Sequence, residues 1–305
     1  MPSLAEEWNA FVAKSKNGTF LFDRKYMDYH SDRFVDHSLL FYDSHGLFAV
    51  LPANQVGKTF YTHQGLTYGG LIINEKATTS AICELFLALN DYLRHFSFEK
   101  VVYKAVPWIY HQQPSEEDLY ALFRICNARL IQRHISSTIF MQDAISWRRD
   151  HRYGGKKAFA DGIVVNKSDD FEGFWQILMN NLHQKYDAKP VHSLEEIKIL
   201  HHRFPGNIQL YLASEQKELI GGTVIYLCGQ VAHAQYISAS LHGKQRHAID
   251  AIFYELLIQH PLNCLFFDFG KSSNGDGHEL NESLIFQKEG FGARGICYDW
   301  YDWEL

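Results

Sequence analysis

The stretch Leu265–Asn281, LFFDFGKSSNGDGHELN, passes from an apolar strand pattern directly into a polar loop carrying Gly270, Gly275 and Gly277. It contains two familiar catalytic spellings. Gly270-Lys271-Ser272 ends like a phosphate-binding loop, which also needs an upstream glycine so that successive amides wrap a phosphate. Leu265 occupies that place, and in the related Gly57-Lys58-Thr59 it is Pro52. Asp268-Phe269-Gly270 spells the metal-binding triplet of protein kinases, which needs a glycine-rich loop, a strand lysine and a His-Arg-Asp loop upstream. None of these precedes it. What remains is an apolar strand, CLFFDF, that ends at Asp268 and opens into a glycine-bearing loop. In open α/β sheets, ligands sit at such strand ends.

Working outward, hydrophobic periodicity gives the same order of elements twice. Before the strand lie IVVNK (strand), DDFEGFWQILMNNLHQKY and SLEEIKILHHRF (helices), then IQLYLAS, ELIGGTVIYLC and VAHAQYISAS, three strands joined by short turns. A helix, RHAIDAIFYELLIQH, leads into CLFFDF; a helix, ELNESLIFQKEG, and a strand, GICYDWYDWEL, follow it. The first half repeats the pattern. It has a helix LAEEWNAFVAKS, strands SLLFYD, GLFAVLPANQ and TYGGLII, a helix over 78–96, a strand KVVYKAV, a helix SEEDLYALFRICNA and a strand LIQRHISSTIFM. Ser115 with Asp118, and Ser193 with Glu196, have capping-box spacing. The basic run SWRRDHRYGGKKAFADG reads as the connection between halves. The expectation is an α/β protein with mixed sheets, divided into domains 1–150 and 151–305.

With 305 residues, 46% hydrophobic, the chain supports a large core, and its net charge of −6 argues against a dedicated DNA-binding protein. No apolar run approaches the ~18 residues of a membrane span. The N-terminal MPSLAEEWNAF lacks the basic and apolar regions of a secretory signal. Cys83, Cys126, Cys228, Cys264 and Cys297 lie far apart, and most read as buried reduced thiols. The 17 histidines show no metal-ligand spacing, so no metal site is expected.

The order of elements, together with QYISAS, HAIDAIFYELLI, FFDFGKS and LNESLIFQKEGFGAR, resembles the FemAB-like family of the GNAT acyltransferase superfamily, with two GNAT-like units in tandem. The run Lys288–Gly292, KEGFG, is its most specific piece, and the first half matches in layout and in LTYGG. The resemblance implies a cytoplasmic enzyme that moves an acyl or aminoacyl group onto an amine of a cell-envelope or amino-sugar precursor. Its fourth and fifth strands should splay to receive the pantetheine arm of an acyl-CoA donor such as acetyl-CoA; aminoacyl-tRNA is the alternative donor. The donor loop would be SLHGKQR, with Gly243, Lys244 and Arg246 as cofactor-binding residues. This loop departs from the family's spelling, since Arg246 stands where a glycine is usual and Gly243 where glutamine or arginine is usual. A binding protein of this fold with a decayed donor site is therefore the competing reading.

Within that frame Asp268 orients an acceptor amine or acts as general base; the alternative is a carboxylate tied to loop amides. Lys288 stabilises an oxyanion or substrate phosphate, or else complements a helix end. Tyr236 is a general acid or a core tyrosine, and its neighbour Gln235, on the other side of the strand, is a candidate for substrate binding. Lys271, Ser272 and Asn281 are candidates for substrate binding, with solvation or capping as the alternative. Arg152, a further substrate-binding candidate, belongs to the only basic cluster, with Arg148, Arg149, Lys156 and Lys157, which would receive a nucleotide-sugar pyrophosphate or a tRNA phosphate or else is a solvated linker. The first half lacks a phosphate-loop candidate and is expected to be a non-catalytic cradle.

Overall fold

Two hydrophobic cores, each drawn from the periodic positions of its own elements, divide the chain. The computed structural model describes residues 3–186 and 189–305. One compact unit comprises Met1–Ile135, Ser273–Leu280 and Ile296–Leu305; the other comprises Ser136–Ser272 and Asn281–Gly295. The expected division at 150/151 thus falls inside the second unit, and the final strand is counted with the first.

The first unit opens with α1 (Leu4–Val12), closed by a Ser3/Glu6 capping box, and the single turn α2 (Arg24–Met27). β1 (Val35–Asp36), β2 (Leu39–Asp43), β3 (Gly46–Leu51), β4 (Asn54–Val56), β5 (Thr59–Tyr61) and β6 (Ile72–Ile73) follow. β2, β3 and β6 form a separate three-stranded sheet. α3 (Thr79–His95) buries Ile82, Phe86, Leu89 and Leu93, a stripe at helical spacing, and Thr78 caps its N-terminus. β7 (Lys100–Lys104), α4 (Glu117–Arg124) and β8 (Arg129–Phe140) complete the run. The Ser115/Asp118 capping box does not form. Asp118 is drawn into the core, where Tyr103 Oη donates to it at 2.5 Å, and Ser115 is left without a side-chain partner.

The second unit takes the last residues of β8, then α5 (Arg149–Ala160), β9 (Ile163–Ser168), α6 (Phe171–Tyr186), α7 (Leu194–Arg203), β10 (Ile208–Glu215), β11 (Glu218–Cys228) and β12 (Val231–Ala239). α8 (Leu241–Gln245), α9 (Ala248–Tyr254) and a π-helical turn at Glu255–Gln259 lead to β13 (Phe266–Lys271). Its strands lie in the order β8, β13, β12, β11, β10, β9. The small pair β14 (Ser273–Asn274) and β15 (Glu279–Leu280) belongs to the first unit, α10 (Glu282–Gly290) to the second, and β16 (Arg294–Glu304) almost wholly to the first, between β7 and β8. Ser193 and Glu196 form the expected capping box of α7.

The basic run read as a connection is α5 itself. Its Gly-Gly pair serves close packing rather than a break, since a Cβ on Gly155 would lie 2.8 Å from Tyr254 Cβ on α9. The strand of the opening stretch is buried on both faces, as its apolar run requires. Phe267 and Phe269 pack on Phe253 of α9 with ring centroids 5.7 and 4.9 Å away, and Phe266 meets Phe140 of β8. Each such side chain contributes roughly 1.5–3 kcal/mol to the core.

Candidate active site

β12 and β13 run parallel for three aligned pairs, Val231 with Phe266, Ala232 with Phe267 and His233 with Asp268, and then part. The cause is visible one strand over. In the β11–β12 ladder Val224 aligns with Tyr236 and Ile225 with Ala234, so Gln235 has no counterpart. An extra residue of this kind bends its strand and sharpens its twist. β12 thus turns away with β11, while β13 stays with β8 as far as the Lys271–Ser136 pair.

A cavity of about 590 Å³ lies beside the parting strands. Ile237, Ser238 and Ala239 at the end of β12 and Phe269 of β13 form its inner wall. α6 supplies Leu178, Asn181 and Leu182, and α9 supplies Ile249 and Phe253. Leu284, Gln287 and Lys288 of α10, with Phe291 just after it, close the far side, and Lys244 of α8 stands at the edge. Cavities of ~300–1,000 Å³ with apolar walls and a few polar groups are the usual form of small-molecule sites.

Lys288 is the charged group built most firmly into this wall. It is 6% exposed, and its Nζ donates to the carbonyl oxygens of Gly270 and Lys271, both at 2.8 Å. Burial lowers its pKa to about 8, with the Asp268 charge opposing the shift. Lys271 is also lowered to about 8 by burial, again opposed by Asp268, but it does not line the cavity.

Asp268 does not point into an open mouth. It is 0% exposed, and Oδ1 accepts from Ser136 Oγ (2.5 Å), Thr138 Oγ1 (3.0 Å) and the Gly270 amide (3.2 Å), while Oδ2 meets His233 Nδ1 at 2.9 Å. β8 contributes both hydroxyls, and the carboxylate pins three strands where two of them part. Tyr236 does not line the cavity. Its hydroxyl accepts from the His192 amide at 3.1 Å and lies 2.6 Å from His192 Nδ1, its ring meets Trp175 edge-on, and burial raises its pKa to about 12. Gln235 is the bulge residue, half-buried and absent from the lining.

Of the donor-loop residues only Lys244 reaches the cavity, where its Nζ donates to Asn181 Oδ1 at 2.8 Å. Gly243 is packed against β11; a Cβ there would lie 2.0 Å from the Ile220 carbonyl oxygen. Arg246 is committed to Glu215 at 2.6 Å and to Asp161 at 3.2 Å. The first turn of α9, where a pyrophosphate would sit, carries Asp250, whose carboxylate is bound by His151 at 2.6 Å and His247 at 2.9 Å. Ser272 is buried and its Oγ has no hydrogen-bond partner among the described residues. Asn281 caps α10 by accepting from the Leu284 amide at 3.1 Å, and Arg152 is exposed on α5. Asn181, Ser238 and Gln287 were not singled out in the sequence; each is an unremarked polar residue in an otherwise periodic element.

The first unit has its own parallel pair, β5 with β7, ending at Tyr61 and Val102. Just beyond it Lys104 is caged, donating to the carbonyls of His63 (3.1 Å), Gln64 (3.0 Å) and Leu66 (2.7 Å). Among the described residues no cluster of three or more His, Cys, Asp or Glu is placed to hold a metal, and no helix is long and apolar enough to cross a membrane.

A meander whose fourth strand is bulged and parts from a parallel fifth, with a cavity beside the gap, is a GNAT-like fold, and the whole chain shares its fold with the solved structure of FemX. Among solved structures, FemX is similar over 100% of this chain and 97% of its own, with a TM-score of 0.67 at 13% identity. L-PGS from Bacillus licheniformis is similar over 98% of this chain and 91% of its own (TM-score 0.61, 13% identity). A conserved protein of unknown function from Bacteroides thetaiotaomicron covers 100% and 98% (TM-score 0.62, 10% identity). No family model matches the sequence, and no curated protein sequence matches it.

Proposed function

We propose that the protein is an acyltransferase that moves an acyl or aminoacyl group to an amine acceptor, with its site in the second unit. The observation that carries this reading is the cavity in the β12–β13 gap with the Lys288 ammonium in its wall. A gap of this kind leaves one edge of β12 without a partner strand beyond His233, so its peptide groups can pair with an extended donor arm. Lys288 supplies a fixed positive charge in a dry setting, suited to the oxyanion of a tetrahedral acyl-transfer intermediate. Lys244 meets anionic substrate groups at the edge. Asp268 acts as a positioning residue, because it holds β8, β12 and β13 together without touching the cavity. The first unit serves as a non-catalytic cradle, since the end of its parallel pair is filled by Lys104.

The donor reading favours an acyl thioester, and an aminoacyl-tRNA is the second possibility. One arrangement supports the competing reading of a binding protein: Arg246 is neutralised and Asp250 occupies the helix turn that would meet a pyrophosphate. Thiol release from acetyl-CoA and from longer acyl-CoAs, measured with a panel of amine acceptors, separates the readings. Acceptor-dependent thiol release supports transfer. Saturable calorimetric binding with no turnover of thioesters or of aminoacyl-tRNA overturns it in favour of binding alone.

A further inference from the structure

The charge pattern of the cavity selects among the groups it can hold. Among the described residues, its side chains include two ammonium groups, Lys244 and Lys288, and no carboxylate. Four acidic residues on or beside the surrounding elements are bound elsewhere. Asp268 is enclosed by Ser136, Thr138, Gly270 and His233; Glu215 and Asp161 hold Arg246; Asp250 holds His151 and His247. Among the described residues neither cavity lysine forms an ion pair with an acid. Lys288 spends hydrogen bonds on two carbonyls and Lys244 one on an amide oxygen, and the one carboxylate whose charge reaches Lys288, Asp268, lies outside the lining. The remaining wall is mainly aliphatic and aromatic, with Leu178, Ile237, Phe253, Phe269 and Leu284 facing the space.

We infer that the cavity binds an unbranched apolar chain carrying an anionic head and rejects one carrying a cationic head, so that the group moved is fatty-acyl-like and not a basic aminoacyl group. This rests on the transferase reading for the phrase "group moved"; the binding preference itself stands apart from turnover. A cation entering here meets two like charges and no carboxylate among the described lining residues, and beside the buried Lys288 charge interactions are stronger than in water. An anion finds one donor, Lys288, already desolvated and held in place, which lowers the cost of ordering it, and a second, Lys244, exposed at the edge. The apolar chain gains by leaving water along the aromatic wall.

The test uses three probes with one tail, decanoate, 1-decanol and decyltrimethylammonium, titrated calorimetrically into the full chain at neutral pH below their aggregation concentrations. The expected order of affinity is decanoate, decanol, then the cation, with at least about tenfold between the first and last, a difference of the size one charge contact supplies. Lys244→Met should weaken decanoate and strengthen the cation, leaving decanol nearly unchanged. Leu182→Trp, which fills the cavity from α6, should weaken all three. Equal or tighter binding of the cation, no binding of any probe, or decanoate binding that survives Leu182→Trp would each overturn the inference. Lys288→Met tests the second charge, and thermal melting establishes whether that variant is folded before it is titrated. A protein that turns over neither thioesters nor aminoacyl-tRNA but shows the expected order retains the binding preference and loses the transferase reading; the reverse pattern does the opposite.

Discussion

His233 and Asp268 form the last rung of the parallel β12–β13 ladder, and their side chains join across it at 2.9 Å. Beyond this rung the strands part, so the pair sits at the apex of the gap. Asp268 is tied to β8 at the same point through Ser136 and Thr138. Removing the carboxylate strands several buried donors at once. Asp268→Ala should therefore cost roughly 3 kcal/mol, the scale for breaking a buried charged network, with loss of transfer following from loosened geometry. Urea unfolding measures it. A variant with unchanged stability and abolished turnover would return Asp268 to a direct chemical role.

Lys288→Ala should lower turnover by ~10²- to 10³-fold, the usual loss for an oxyanion donor. Because the ammonium also satisfies two carbonyls, the variant should lose about 1–3 kcal/mol of stability as well. Activity should be compared well below the melting range, where both proteins are folded.

Burial holds Lys288 at about 8, so a rate that needs its ammonium should fall as pH rises through about 8. Lys288→Arg should move that fall to higher pH, since a guanidinium stays protonated. Lys271 titrates in the same window, with Asp268 acting on both, so Lys271→Met is the control; it should leave the profile in place. For stability the sign is set by the lowered folded pKa. The group favours folding fully above its ordinary 10.5, and that contribution is lost as pH falls through about 8.

The first unit contains a separate acid-sensitive cluster. The His30 and His63 rings stack with centroids 5.5 Å apart, and Lys104 donates to the His63 carbonyl. Burial, helped by the nearby His30 and Lys104 charges, lowers His63 from 6.5 to about 3. A depressed pKa gives stability that is full above pH 6.5 and lost as pH falls towards 3. His63 has a φ of 62°, so His63→Asn is the suitable replacement because asparagine tolerates that backbone. The variant should reduce the slope of stability against pH in this window by about one proton. Unfolding midpoints at a series of pH values measure it.

Gly243→Ala should destabilise the chain by ~1–3 kcal/mol, because its Cβ would overlap the Ile220 carbonyl and force α8 off β11. Lys244 moves with α8, so ligand affinity at the cavity should drop in parallel. Thermal melting and calorimetry on one variant check both effects.

Much of this was readable from periodicity. The apolar run before Asp268, the stripe of α3 and the Ser193/Glu196 cap all have strong local causes, and each forms as expected. The failures share one origin, competition from tertiary packing. Asp118 has capping spacing, but Tyr103 draws it inward. The Gly-Gly pair of α5 reads as a breaker until α9 is seen pressing on it. At the candidate site, the resemblance pointed to Lys288 and Lys244, which both line the cavity, whereas the enclosure of Asp268 was not legible because the two β8 hydroxyls that bind it lie far away in sequence. The Gln235 bulge leaves no compositional mark, and only the register across β11 reveals it.

The placement of β16 between β7 and β8 has a consequence for biosynthesis. Residues 296–305 emerge from the ribosome after every element of the second unit, yet they belong to the first. Until they arrive, β7 and β8 each present an unpaired edge, and Arg129 and Arg133 lack Asp302 and Asp299. The usual vectorial order, in which the N-terminal domain matures first, is therefore closed to this chain. The nascent first unit must wait with these strand edges unpaired, and residues 296–305 are decisive for the half that was translated first.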